Sequence, residues 1–495
     1  MSTFHGLEMA KQALFAQQSA LYTTGNNISN ANTKGYSRQR VNFETQSPYP
    51  TASRNRPEIP GQMGTGVKVG SIERVRDEFL DVQFRGENSK KGYWETKSKA
   101  LARMENIMNE TTDRGLSKSM SLFWDSLQDL ATNPTNSGAR SVVVERGVAL
   151  ADTFNHISKS LENVRSDLQA EINNKVDHTN SLLKQIHNIN EQIKQIEPHG
   201  YVSNDLYDDR DCLIDELSEI VNIKVDYEKT SENSSGIQDG IAVIELAGED
   251  GKGLGINLVE EGQYNKLSVG YEGDETKGYN AVSKITIENS SENITLSSKS
   301  GSLSALIHSY GYTTEDGNVQ GEFPQMLDDL DDMAKSFVKE FNNIHNQVNG
   351  QNFFDEDNLT ADTIKVHEDI INDPEKVVVN SEDGVEDGKI AQKLADFFDD
   401  SFDIGDKNTS VNKFYQSLVG EMGVNIQESN KMADNTNILL SQVNNQRQSV
   451  SSVSLDEEMS NMIKFQHAYN AAARSMTSID EMLDRIINSM GLVGR

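Results

Sequence analysis

Stepping alternately four and three residues from Leu455 passes through Met459, Met462, Gln466, Tyr469, Ala473, Met476, Asp480, Leu483, Ile487 and Met490, and nine of these eleven positions are apolar counting alanine. A repeat that averages 3.5 residues keeps one stripe of an α-helix turned toward a partner, so the spacing predicts a coiled-coil seam. Ser454 with Glu457 three residues on reads as a capping box at its start, and Gly491 as its stop. At the opposite end of the chain Leu7, Leu14, Leu21 and Ile28 keep a strict seven-residue spacing, with Phe4, Ala10 and Ala13 close to the same stripe, which predicts a helix over residues 3 to 28. Both stripes are thin. The two ends are therefore expected to pair with each other and to be fixed by packing against neighbouring subunits.

Between the ends the pattern changes several times. NNISNANTKGYSRQRV offers Asn30, Asn32 and Gly35 for turns and positive φ, then Tyr36 and Val41 for an extended stretch. Residues 48 to 66 hold Pro48, Pro50, Pro57 and Pro60 with Gly61, Gly64 and Gly66, which excludes helix and predicts an extended connector. Helical periodicity runs from Glu87 to about Glu197, interrupted at Asn133-Pro134 and closed by Pro198 and Gly200. Residues 221 to 300 turn to short alternating runs such as IAVIELAG and SKITIENS, the pattern of a β-rich domain. Helix returns near Pro324, an acidic Gly- and Asp-rich stretch from Phe353 to Asp406 reads as a loop-rich insertion, and the chain is helical again from Phe414. The fold class expected is α+β and multidomain: a terminal helical coiled coil (1–47 and 440–495), a long-helix bundle (48–220 and 301–439, with the acidic insertion near 353–406), and an inserted β-rich domain (221–300). A length of 495 residues favours about two to four domains over one core.

Charge narrows the function classes. The formal net charge of -31 repels phosphate and anionic lipid, which argues against a nucleic-acid or membrane-surface partner. The distribution is uneven: residues 31 to 103 carry 14 Lys/Arg against 8 Asp/Glu, and residues 351 to 410 carry 5 against 17. Hydrophobic residues make up 35% of the chain and the mean hydropathy is -0.60, as in a surface-rich, elongated molecule. Cys212 is the only cysteine, so no intramolecular disulfide and no cysteine-based zinc site can form. The N-terminal segment lacks the basic-then-apolar order of a secretory signal, and no run is apolar enough for a membrane span.

Catalytic and ligand-binding motifs are weak throughout. His367-Glu368 has no second histidine at the spacing of a zinc-protease helix. DEDNLT at Asp355 begins like a calcium loop but carries Leu359 at the fifth position. GTGVKVG at Gly64 lacks the Gly-Lys-Ser/Thr ending of a phosphate loop and reads as a β turn. Asp208, Asp209, Arg210 and Asp211 have two readings: a carboxylate cluster for acid/base chemistry, or ion pairs that position a helix start. No cofactor, metal or catalytic residue is expected.

The helix followed by NNISNANTKGYSRQRV and the closing MIKFQHAYNAAARSMTSIDEMLDRIINSM together resemble the flagellar axial proteins. GTGVKVGSIERVRDEFLDVQFR, DLATNPTNSGAR with Pro134 and Arg140, NDLYDDRDCLIDELSEIVNIKV and GSLSALIHS narrow the resemblance to the first hook-associated protein family, over roughly residues 1–225, 300–350 and 410–495. The resemblance implies a non-enzymatic subunit of the junction between hook and filament, needed for filament assembly. It implies paired terminal helices as an inner tube wall, a helical domain around them, and a β domain projecting outward. The implied partners are further copies of the chain in a ring, the hook protein, a second junction protein, a dedicated export chaperone and the flagellar type III export apparatus, with an extracellular location in the flagellum. The interface residues expected from the two stripes are Leu7, Leu14, Leu21, Ile28, Leu455, Met459, Met462, Tyr469, Ala473, Met476, Leu483, Ile487 and Met490. Rival readings are the hook protein, a flagellar scaffold carrying an inserted hydrolase in its poorly matched middle, and a cytoplasmic coiled-coil adaptor.

Overall fold

A computed structural model describes residues 3–50, 61–108, 115–230, 238–273, 280–289, 298–314, 316–348, 351–357, 359–380 and 387–489. The chain opens with α1 (Thr3–Ser29) and an antiparallel hairpin of β1 (Gln39–Thr45) and β2 (Val67–Arg74). The helical body follows as α2 (Glu78–Met108), α3 (Leu116–Thr132), α4 (Ser137–Ile196) and α5 (Asn204–Ile220). Asn136 starts α4 by accepting the Gly138 and Ala139 N–H groups on its side-chain oxygen, at 2.9 and 3.4 Å. The expected break at Asn133-Pro134 thus separates α3 from α4, and α4 ends just before Pro198.

At 60 residues α4 is on the order of 90 Å long, and it is the axis of the body. Its buried stripe recurs at helical spacing through Leu150, Phe154, Ile157, Leu161, Leu168, Ile172, Leu183 and Ile186. Two four-stranded sheets pack along it. The first is antiparallel, in the order β3 (Ile223–Glu228), β4 (Ile241–Ala247), β5 (Gly253–Glu260), β6 (Gln263–Tyr264). The second is ordered β10-β9-β8-β7, built from β7 (Leu267–Gly273), β8 (Asn280–Ile287), β9 (Tyr312–Thr313) and β10 (Val319–Gln320). The last two strands come from beyond the 221–300 run, after α6 (Ser302–Tyr310), and β9 joins β8 in parallel. Strands of two residues carry no alternation to detect.

Two asparagines seat the sheets on α4. Asn180 donates to the Leu267 carbonyl at 2.9 Å and accepts its N–H at 2.8 Å, and Asn190 does the same for Ala242 at 2.9 and 3.1 Å. Each amide thereby supplies the donor and acceptor of a neighbouring strand.

After α7 (Glu322–His345) the acidic stretch forms more than a loop. It holds α8 (Glu368–Asn372), α9 (Lys389–Asp396) and the hairpin β11 (Phe402–Ile404) with β12 (Lys407–Thr409). Phe353, Phe354, Phe397 and Phe398 are buried and meet Phe123 of α3 and Phe337 and Phe341 of α7 in one aromatic cluster. Trp124 Nε1–H donates to the Ala395 carbonyl at 2.7 Å, and Arg140 Nη1 to the Glu375 carbonyl at 2.7 Å. A high fraction of acidic residues hid these apolar anchors.

The chain closes with α10 (Val411–Ser451), which packs along α2, and α11 (Leu455–Ser489), which packs along α1. No helix of the described residues is long and apolar enough to cross a membrane.

Candidate assembly surface

α1 and α11 lie antiparallel: Asn27 Nδ2 donates to Glu458 Oε2 at 3.0 Å near one end, and Gly6 faces Ile479 near the other. Small residues on α1 let the helices approach. Ala10, Ala16 and Ala20 are buried, and a Cβ placed on Gly6 would sit 3.2 Å from Ile479 Cδ1. The β1–β2 hairpin joins the pair through Phe43, whose ring meets Phe465 edge-on at 6.1 Å.

The residues that α11 turns inward are Glu458, Met462, Phe465, Tyr469, Ala472, Ala473, Met476, Ile479 and Leu483. Of the expected interface set, Leu7, Leu14, Leu21, Ile28, Met462, Tyr469, Ala473 and Met476 are half-buried and Leu483 is buried. Leu455, Met459 and Ile487 stand 48%, 57% and 70% exposed, so they do not belong to the buried stripe between α1 and α11. A straight helix drifts by about 20° per heptad against a 3.5 repeat, and the polar pair Asn27–Glu458 sets the register where α11 begins. Met490 lies outside the described residues. The capping-box reading also changes, because Glu457 Oε2 accepts from Arg38 Nη1 at 2.8 Å.

The outward sides of the pair mix charged residues with large apolar ones. Phe4, Phe15 and Tyr22 on α1 and Leu455, Met459, Ile463, Met482, Ile486 and Ile487 on α11 are all exposed large side chains. They make these two helices the part of the described chain richest in exposed large apolar side chains.

A buried ionic hub holds this pair to the body. Arg74 Nη1 donates to Asp208 Oδ1 at 2.8 Å and to Asp211 Oδ2 at 2.9 Å, while its Nη2 reaches Asp239. Arg76 pairs with Asp81 at 2.6 Å and Asp211 at 2.9 Å, and Arg85 with Asp211 at 3.3 Å and Asp215 at 3.1 Å. From the end of α10, Arg447 pairs with Asp81 at 2.7 Å and Asp215 at 2.6 Å, its guanidinium 4.6 Å from the Phe84 ring centroid. Burial pushes the Asp211 carboxyl up, but Arg76, Arg74 and Arg85 override it and hold the group well below the usual carboxylate range. At Asp208 burial outweighs Arg74, and the carboxyl is raised.

The turn after α1 is built into the hub. The Ser37 N–H donates to Asp208 Oδ2 at 3.0 Å, the Arg38 N–H to the Ser451 carbonyl at 2.9 Å, and Arg38 Nε to Glu458 Oε1 at 2.8 Å. Gly35 holds φ +83°, and a Cβ there would lie 2.0 Å from Cys212 Sγ, so the turn requires glycine twice over. Of the two readings of Asp208 to Asp211, ion pairing is observed, but from the interior of α5 to Arg74, Arg76 and Arg85 and not at a helix start, with Asp209 exposed to solvent. The hub arginines were not paired with these carboxylates in the sequence, because a separation of more than a hundred residues leaves no local signal.

Among the described residues no group of three or more His, Cys, Asp or Glu side chains could hold a metal ion. What the arrangement offers is an ionically anchored helix pair with large apolar side chains exposed on its outer sides.

Comparison with known proteins agrees in kind. The model of the "Flagellar hook-associated protein FlgK helical domain" matches residues 101–354. Flagellar hook-associated protein 1 of Bacillus subtilis is 46% identical over the whole of both chains. The chain belongs to the flagellar hook-associated protein 1 family. The Escherichia coli member is 24% identical, covering 97% of this chain and 98% of its own. The two ends of this hook-associated family member also match models shared with other axial proteins: "Flagella basal body rod protein" at residues 7–36 and "Flagellar basal body rod FlgEFG protein C-terminal" at 445–490. The flagellar hook junction protein of Burkholderia pseudomallei has the same fold at a TM-score of 0.57 and 12% identity, covering 75% of this chain and 100% of that one. Membership places the chain among structural proteins of the bacterial flagellum.

Proposed function

We propose that this chain forms the junction between hook and filament and that the filament cannot assemble without it. Copies form a ring whose terminal helices, residues 1–47 and 440–495, bed onto the hook protein as an inner tube wall. The helical body (48–220 and 301–439) surrounds them, the β-rich region (221–300) lies outermost, and a second junction protein docks on the free end of the ring. The chain reaches this extracellular site through the flagellar type III export apparatus, with a chaperone covering the apolar C-terminal helix beforehand. Its work is mechanical, without a catalytic step.

The observation that carries this reading is the exposed apolar side of the α1–α11 pair, which a soluble monomer leaves uncovered and a tube wall buries. The expected interface residues divide between two tasks. Leu14, Leu21, Met462, Tyr469 and Met476 hold the pair together, and Leu455, Met459 and Ile487 face neighbouring subunits.

Deleting the gene in a flagellated source, with electron microscopy of the cells and a blot of the medium for filament subunit, tests the reading. Hooks without filaments and filament subunit lost to the medium support it. Missing hooks would make the chain a hook or rod subunit, and normal filaments would remove it from the junction.

A further inference from the structure

We propose that Glu458, held by Asn27 and Arg38, is the register lock of the α1–α11 pair: a buried polar node that selects one alignment of the two helices without adding to the strength of their pairing. Among the described residues of α11 only two are buried, Leu483 at 9% exposure and Glu458 at 2%. The least exposed residue of the closing helix is thus a carboxylate, at a position where a leucine would bury apolar area and strengthen the pair.

Both oxygens of that carboxylate are committed. Oε1 accepts from Arg38 Nε at 2.8 Å and Oε2 from Asn27 Nδ2 at 3.0 Å. Asn27, 1% exposed, uses its whole amide: the same Nδ2 donates to the Gln39 carbonyl at 2.9 Å, and Oδ1 accepts from the Gln39 N–H at 3.0 Å and from the Tyr36 hydroxyl at 2.8 Å. The Arg38 N–H in turn holds the Ser451 carbonyl, so one node joins α1, the turn after it and the corner between α10 and α11.

The apolar seam cannot choose an alignment by itself. Its larger side chains repeat every seven residues on both helices, as Leu7, Leu14 and Leu21 on α1 and as Met462, Tyr469 and Met476 on α11, so a slide of one heptad exchanges each for the next of its kind. The polar node has no such equivalent. Asn27 faces Glu458 and Gly6 faces Ile479, so a slide of one heptad sets Asn27 against Phe465 in one direction and Glu458 against Ala20 in the other. Either slide strands a buried polar group, which is how one polar position fixes the register of paired helices at the expense of their stability. The observed alignment also brings exposed Tyr22 level with exposed Ile463, and a slide of one heptad would carry them about 10 Å apart.

Glu458→Met removes the carboxylate while Arg38 keeps Glu457 at 2.8 Å, and Glu458→Gln keeps an acceptor for Asn27. Spin labels at Lys11→Cys and Lys464→Cys, both exposed, report register in the full-length chain with Cys212→Ser. Lys464 stands roughly ten residues, or about 15 Å, along the pair from Lys11, and a slide of one heptad changes that offset by about 10 Å. Pulsed electron resonance should give a single distance in the labelled chain and in its Glu458→Gln variant, and a second, displaced population in Glu458→Met. Hydrogen-exchange protection of α1 and α11 should be kept in all three. A single, unshifted distance in a Glu458→Met chain that keeps this protection would overturn the proposal. Loss of protection in Glu458→Met would also overturn it, by making the node a source of pairing strength, as would a broad distribution in the chain carrying the labels alone. The gene deletion above tests the junction reading separately.

Discussion

Asp211 shows how the body holds its termini. Its carboxylate is fully enclosed by Arg74, Arg76 and Arg85, and neutralising it leaves those cations buried without their shared counterion. Asp211→Asn should cost about 3–5 kcal/mol, read as a lower urea midpoint of the full-length chain. His345 gives a pH signature. It is buried at the end of α7 against the insertion, with Nδ1 donating to the Gln351 carbonyl at 2.6 Å and Nε2 accepting the Val378 N–H at 3.0 Å, and burial lowers it to about 4. Because the folded value lies below the unfolded one near 6.5, protonation opposes the fold. Stability should be lost as pH falls from about 6.5 to about 4, by about 3 kcal/mol, and not fall further on this account below that. Asp329 and Asp331, raised by burial to about 6, act in the opposite sense over an overlapping window. The His345 contribution is therefore the pH-dependent part of the difference in urea midpoint between the unaltered chain and His345→Gln, which should be constant above pH 7 and change as the pH falls toward 4. At this scale NDLYDDRD was legible as a cluster of ion pairs, whereas the identity of its arginine partners was not. Those partners are fixed by the packing of β2, α2, α5 and α10, which no spacing along the chain records.

Elements with a long period were legible. The expected helix at residues 3–28, the break at Asn133-Pro134, the end near Pro198 and the onset of strand after residue 221 all correspond to elements of the structure. The expected stripe of α11 departs from the buried one at its ends, at Leu455, Met459 and Ile487, and holds at Met462, Tyr469, Ala473, Met476 and Leu483. The same helix supports a 3.5-residue stripe and a nearby parallel one, and the choice between them depends on Asn27–Glu458 and on where α1 is thin enough to admit a partner. That thinness is itself testable. Gly6→Ala should be tolerated, since its methyl group meets only the flexible end of Ile479, whereas Gly6→Phe should separate the helix ends. Hydrogen exchange of α1 and the second half of α11 should lose protection in Gly6→Phe and keep it in Gly6→Ala, with α4 unchanged in both. The insertion failed for another reason. Composition reported its acidic outside, while Phe353, Phe354, Phe397 and Phe398, too widely spaced to form a period, determine its inside.

For the whole molecule, charge and apolar surface divide the labour. A net charge of -31 opposes close approach of free chains, and in the function proposed above the exposed apolar side chains of α1 and α11 are what overcomes it. The two models of basal body rod proteins fall on the two ends that carry these helices. The inward residues Tyr469 and Met476 are poor probes of assembly, because charging them also breaks the α1–α11 pair. Met459 and Ile463 are better, being exposed at 57% and 55% on the outward side of α11. The most direct measurement is therefore filament counting by electron microscopy in cells carrying Met459→Asp with Ile463→Asp, beside hydrogen exchange of the purified variant. Unaltered protection of α1 and α11, export to the medium and bare hooks are the results expected; full-length filaments in normal number would show that the outward side of the pair is not the assembly surface.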